Sequence, residues 1–252
     1  MKQLKKHPFT LVELLAVIGI LALLFGIFVP SFSRMMFGSK VDQMASNFKT
    51  GLGVAQSKAV SSRKYVAMIM PVNYDAITDA RLKPYCGGGY RLAVVKKNGD
   101  RWDFVEWAPG SAWTNVSDGA GLVAVQSAKD WYVTEGTPSS GLKPLPGLVA
   151  ATGTSLKGND NLTEITCYDS GSYLTDDPDI KALGAHDGNK DNWRGIVFSP
   201  FGGVVDKSTP LLFFFSEVKV ENSVYAYANK DNFLVLKLNP ITGRVVYLAE
   251  ED

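Results

Sequence analysis

The sequence predicts an α+β protein in which a long N-terminal helix, apolar in its first half and amphipathic in its second, packs on an antiparallel β-sheet head. Three observations predict it. An almost unbroken apolar run extends from Phe9 to Val29. Apolar residues then recur at helical spacing as far as Ala59. From Tyr65 the pattern changes to short β-branched and aromatic stretches broken by glycine, proline and asparagine.

Between Phe9 and Val29 the strongly polar residues are Thr10 and Glu13. A helix of that length spans roughly 31 Å, the thickness of a hydrocarbon core, so residues 9–29 are read as a transmembrane half. Lys2, Lys5 and Lys6 precede it, and the positive-inside bias would keep the N-terminus in the cytoplasm and carry the rest across. An ordinary secretory signal has an apolar region of about 7–15 residues and a small-residue cleavage site, whereas this run is longer and ends in Phe28, Val29 and Pro30. Glu13 is the anomaly. A charged side chain at membrane depth costs about 2.5–3.5 kcal/mol, and a plain anchor gives no reason to keep one, although a carboxylate there could snorkel to the headgroups.

Residues 30–62 are read as the amphipathic half. Val41, Met44, Phe48, Leu52, Ala55 and Ala59 fall at spacings of three and four on one helical face, with Lys40, Asp42, Asn47, Lys49 and Lys58 opposite. Pro30 removes one helical hydrogen bond and Gly26 lowers helix propensity, so the join between the halves is expected to bend or loosen. Phe9 to about Ser62 would then measure roughly 80 Å.

Residues 63–252 form the head. Strands are expected at Tyr65 to Met70, Tyr90 to Val95 and Trp102 to Trp107, the last two joined by a hairpin at Lys97-Asn98-Gly99-Asp100. Leu122 to Val125 and Trp131 to Thr134 are weaker candidates within an elaborated loop region, about 108–191, rich in Gly, Ser, Thr and Asp. Strong patterns return at Gly195 to Ser199, Leu211 to Phe215, Val224 to Ala228, Phe233 to Leu238 and Val245 to Leu248. Asn239-Pro240-Ile241-Thr242-Gly243 makes the last turn of a closing antiparallel meander.

The 252 residues carry a formal charge of +1 with both signs mixed along the chain. No basic face of the kind that binds nucleic-acid phosphates is expected. Two cysteines, Cys86 and Cys167, lack CxxC spacing, and with two histidines in the chain a zinc site has too few ligands. The pair would either form a disulfide, if the head lies outside the cytosol, or serve as two buried thiols.

Catalytic patterns are sparse. Asp169-Ser170-Gly171 has the tripeptide of an aspartic protease but no second acidic copy, and a turn accounts for it. Cys86 with His186 could be drawn as nucleophile and base, a pairing that any such composition allows. No GxSxG elbow, P-loop or HExxH helix is present. Asp187, Asn189 and Asp191 place side-chain oxygens at alternate positions, as the first half of a calcium loop does. Asn192 and Phe198, however, stand where such a loop carries its glycine and its bidentate glutamate. A polar surface turn is the plainer reading, and no cofactor other than calcium is indicated.

Phe9-Thr10-Leu11-Val12-Glu13-Leu14-Leu15 resembles the start of the type IV pilins and type II secretion pseudopilins. Glu13 stands four residues after Phe9, and Pro30 twenty-one after it, where that superfamily carries its glutamate and its helix-loosening proline. Val54 to Ile69 is similar to the end of the long helix and first strand of the H-type minor pseudopilins. Gly195 to Gly203 and Ile241 to Leu248 are similar to their C-terminal strands. The resemblance implies a pilin-like fold, a leader of residues 1–8 cut by the prepilin peptidase between Pro8 and Phe9, and N-methylation of Phe9. It further implies assembly through Thr10, Glu13 and Pro30, with the Glu13 carboxylate meeting an N-terminal amine as helices stack. Pro8 departs from the family, whose peptidase expects glycine before the cut; proline holds itself and His7 in extended backbone.

The function expected on this basis is structural and not enzymatic: a minor pseudopilin or pilin subunit of a type II secretion pseudopilus or type IV pilus. Its partners would be other pilins or pseudopilins and exported proteins. It would sit as a single-pass protein of the bacterial inner membrane, with its head in the periplasm or outside the cell. The alternatives are a major or adhesive pilin, or a signal-anchored extracytoplasmic enzyme or binding module in which Trp107, Trp113 and Trp131 stack on sugars.

Overall fold

The computed structural model describes residues 11–72, 77, 79–114, 119–127, 161–169, 172–182, 193–221, 224–227 and 233–248. The chain divides into two compact units, Met1–Ser39 and Lys40–Asp252. Helix α1 spans Leu11–Ser62.

In the first unit the α1 side chains from Leu11 to Phe25 are almost all apolar and exposed, and Glu13 lies in the first turn, where the helix dipole favours an acid. Among the described residues no helix is long and apolar enough to cross a membrane. The expected transmembrane half at 9–29 is corrected accordingly, and a single-pass placement in the bacterial inner membrane, head in the periplasm or outside, is not supported.

In the second unit the strands are β1 (Tyr65–Pro71), β2 (Arg91–Asn98), β3 (Arg101–Trp107), β4 (Ala120–Ser127), β5 (Thr163–Thr166), β6 (Tyr168–Asp169) and β7 (Ser172–Tyr173). A short helix, α2 (Pro178–Ala182), precedes β8 (Trp193–Phe198), β9 (Leu211–Glu221), β10 (Val224–Tyr227), β11 (Phe233–Leu238) and β12 (Val245–Leu248). Strands β1, β2, β3, β5 and β8 close into a barrel, while β4, β9, β10, β11 and β12 make a separate sheet.

The expected pilin-like head, one antiparallel sheet ending in a meander, is therefore corrected. Two pairings divide the strands. The barrel closes through a parallel contact, β3 on β5 with Trp102 opposite Ile165, and through β8, which pairs with β1 instead of with the strands that follow it. Strand β4 leaves the barrel for β9, with a bulge between Leu122 and Ala124. Parallel pairs need crossover connections and carry no turn signature, so the run of strand patterns alone does not distinguish this arrangement from a meander.

The barrel wall is apolar on both sides where it meets α1. Ala67 and Ile69 of β1, Ala93 and Val95 of β2, Trp102 and Phe104 of β3, Ile165 and Val197 fill the interior. The alternate residues Val66, Met68 and Met70 of β1, with Ile196 and Phe198 of β8, join a second cluster formed with Val41, Met44, Phe48, Leu52, Ala55 and Ala59 of α1. That cluster extends to the second sheet through Leu211, Phe213 and Phe215 of β9 and Leu236 and Leu238 of β11. The opposite face of β9 buries Leu212, Phe214 and Val218 with Val235.

Phe48 sits at the centre of this layer, with ring centroids 5.3 Å from Phe213 and 5.2 Å from Phe215. Tyr90 lies edge-on to it at 6.0 Å, and its hydroxyl donates to the Asn47 carbonyl at 3.1 Å. Gly51 makes that approach feasible, since a Cβ there would run into the Tyr90 ring. The β2–β3 hairpin turns at Gly99 and Asp100, with Asn98 already paired to Arg101 and Gly99 at φ 62°.

Candidate assembly surfaces

Pro8, Phe9 and Thr10 lie outside the described residues, as do Asp187, Asn189 and Asp191, the calcium candidates, and Trp131 to Thr134. Pro30 falls inside α1, which continues through it as helix. No group of His, Cys, Asp and Glu able to hold a metal ion occurs among the described residues.

The largest exposed apolar surface among the described residues is on α1. Leu11, Val12, Leu14, Leu15, Val17, Ile18, Ile20, Leu21, Leu23, Leu24 and Phe25 are each between 45 % and 77 % exposed, and the exposure goes round the helix without a polar face. A helix apolar on every side is one that is buried on every side. Glu13 is the one ionisable group among these residues.

The head carries a smaller surface of different construction. Phe201 is 95 % exposed and Ile241 81 %, each at the tip of a turn. In the first turn the Gly202 amide donates to the Ser199 carbonyl at 2.9 Å, and the Ser199 amide to that of Gly203 at 2.8 Å. In the second the Asn239 side-chain oxygen accepts from the amides of Ile241 at 3.0 Å and Thr242 at 3.2 Å. The Val204 amide then donates to the Pro240 carbonyl at 2.7 Å, locking the turns together. Gln56 of α1 completes the clasp: its side-chain nitrogen donates to the carbonyls of Gly202 at 2.8 Å and Thr242 at 2.7 Å. Gly202 and Gly243 have φ of 88° and 67°, a region costly for other residues, and a side chain on Gly243 would displace the Gln56 amide.

The sequence pattern reads both stretches only as strand ends and a turn. The signal available was the pair of glycine-bearing turns, Pro200-Phe201-Gly202-Gly203 and Pro240-Ile241-Thr242-Gly243, each lifting a large apolar residue between a proline and a glycine.

The two cysteines are buried thiols in the barrel cluster. Burial, and secondarily the Asp103 carboxylate, pushes the Cys167 thiol well above its usual range, away from nucleophilic use. Trp107 and Trp113 are half-buried against one another at 5.5 Å. Trp113 also stacks on Tyr85 at 5.1 Å, and the Arg91 guanidinium covers the Trp107 ring at 4.2 Å. Asp179 of α2 ties the group together, accepting from Arg91 at 2.7 Å and from the Trp113 indole at 3.2 Å. These rings are engaged with the head itself, packed against the barrel cluster.

No family model matches the chain, and neither a curated protein nor a solved structure matches it. No match links it to pilins or to a secretion system, so those labels rest on the resemblance of the quoted residues alone.

Proposed function

We propose that the chain is a structural subunit that assembles through its N-terminal helix into a filament, as its resemblance to minor pseudopilins and pilins implies. Its head contacts partner subunits or exported cargo, and it performs no covalent chemistry. The observation that carries this reading is the all-round apolar exposure of α1 from Leu11 to Phe25.

Burying a leucine, valine, isoleucine or phenylalanine gains about 1.5–3 kcal/mol, so a handful of these side chains offsets an association cost of about 4–15 kcal/mol. Like helices packed side by side cover such a surface on every face. Glu13 then sets the register, as the resemblance implies: its carboxylate meets an N-terminal amine, its own or that of the neighbouring subunit, as helices stack, and a partnered charge costs less in an apolar bundle than a lone one.

The test is Glu13→Ala against the unaltered chain. Loss of filament assembly is expected, with the abundance of the chain and the unfolding midpoint of its head unchanged. Assembly at the original level would remove Glu13 from the account. Intact mass supplies a separate check on processing: the resemblance and the prepilin peptidase it implies require a chain that begins at N-methylated Phe9, and a chain retaining Met1 to Pro8 would contradict that step.

A further inference from the structure

We infer that β12 is an edge through which two copies of this chain join: their Val245–Leu248 strands pair antiparallel about Tyr247, with Arg244 of each opposite Glu250 of the other. The contact uses no part of Leu11–Phe25 and goes beyond the assembly reading above.

The backbone of β12 supplies the edge. The barrel is closed and offers none, whereas the second sheet ends on β12, whose partner among the described residues is β11 alone. The Asn239 amide donates to the Arg244 carbonyl at 2.9 Å, which makes these two a hydrogen-bonded pair. The register continues with Leu238 opposite Val245, Lys237 opposite Val246 and Leu236 opposite Tyr247. Hydrogen-bonded pairs of an antiparallel ladder alternate with pairs whose backbone groups point away. Val246 therefore turns its amide and carbonyl to β11, and Val245 and Tyr247 turn theirs outward. Nothing blunts this edge. Val245–Leu248 holds no proline and no charge, no bulge interrupts its register with β11, and Val246 and Tyr247 are 37 % and 42 % exposed.

The occupant follows from a sequence that complements itself when reversed. Arg244, exposed, precedes the apolar run Val245-Val246-Tyr247-Leu248-Ala249, and Glu250, outside the described residues, follows it. With the outward groups on Val245 and Tyr247, an antiparallel copy of the same strand bonds only when odd-numbered residues stand opposite odd-numbered ones. Pairing about Tyr247 meets that condition. It sets Tyr247 opposite Tyr247, Val245 opposite Ala249, Val246 opposite Leu248 and Arg244 opposite Glu250. A slip of two residues either way puts Glu250 opposite Val246 or Thr242 instead. Aromatic pairs, apolar pairs and opposite charges placed directly across a ladder are the ones that stabilise it. Because the same surface meets itself, the contact is isologous and closes on two copies.

The experiment oxidises Tyr247→Cys in the full chain, in cells, and locates the linkage by mass spectrometry. A hydrogen-bonded pair holds its Cα atoms about 5.5 Å apart, within reach of a disulfide. The expected product has twice the chain mass and is joined through position 247 of both copies. Its yield should fall at least tenfold with Arg244→Glu and recover when Glu250→Arg is added, the recovery showing that the heads remain folded. No 247-to-247 product, linkage only to other proteins, a yield insensitive to Arg244→Glu, or no recovery on the second exchange would overturn the proposal. Linkage through Leu14→Cys reads the helix separately. If position 14 links and position 247 does not, the assembly reading stands and this edge falls; if position 247 links and position 14 does not, the edge stands without it.

Discussion

The side-chain nitrogen of Gln56 lies 2.8 Å from the carbonyl oxygen of Gly202, a contact bridging 146 positions of sequence. It joins the head portion of α1 to a surface turn, and the same amide reaches Thr242. One polar side chain on the helix thus holds two turns that carry the most exposed large apolar residues among the described residues of the head.

Gln56→Ala removes both bonds and leaves two partly solvated carbonyls. A loss of about 1–2 kcal/mol is expected, at the upper end of what single neutral hydrogen bonds contribute because two go together. Urea unfolding of the variant measures it, and amide exchange at Phe201 and Ile241 should speed up more than exchange in β1.

Phe48→Ala should destabilise the head by about 3–5 kcal/mol, since the ring is fully buried between α1 and β9 and its removal leaves a cavity lined by Phe213, Phe215 and Tyr90. The same titration reads the effect. A change below about 1 kcal/mol would mean that α1 does not form this layer.

Gly51→Ala tests the same packing from the opposite direction. Alanine is the better helix former and would stabilise an exposed helix site, but here its methyl group meets the Tyr90 ring. The expected sign is destabilising, by about 1–3 kcal/mol, as for other overpacked sites.

How far these features could be read in the residues varies with the range of the interactions behind them. The stripe Val41, Met44, Phe48, Leu52, Ala55, Ala59 was legible because helix period is local, and all six residues are buried in one cluster. Strands β11 and β12 have the bounds their patterns indicate, since proline and glycine at Asn239 to Gly243 punctuate them. Barrel closure was not legible. Strand β8 is buried along its whole length, so alternation assigns it no face and gives no hint that its partners are β1 and β5 rather than β9. The clasp of Gln56 escaped for the same reason: nothing local to an amide on a helix says which distant carbonyls it will meet.

Asp206 gives a pH dependence. The Trp102 indole donates to its carboxylate at 2.7 Å and Lys97 approaches at 3.0 Å, and these, the indole first, hold its carboxyl below the ordinary carboxylate value. A folded pKa lower than the unfolded one, about 3.9, stabilises the head above that pH and the gain is lost as pH falls through the folded value. The carboxylate is nearly half exposed, so the effect is small after solvent screening. Asp206→Asn should be less stable than the unaltered head at pH 6, with the difference shrinking toward pH 2 in urea titrations.

Cys167 should be unreactive while the head is folded. Its thiol is buried and held protonated by that burial. Alkylation by iodoacetamide at pH 8 should therefore proceed at the rate of unfolding and accelerate sharply in denaturant. Rapid labelling in native buffer would show that the barrel interior is open to solvent.

Assembly through the apolar helix is tested most directly by Leu14→Cys in the full chain, with Val105→Cys on the head as control, oxidised in cells and resolved by mass. Leu14 is exposed on the segment assigned to helix contacts, and Val105 is exposed on β3 and has no part in the proposed assembly. The account predicts a disulfide-linked product of twice the chain mass at position 14 and none at position 105. A chain that remains monomeric at position 14 would contradict it.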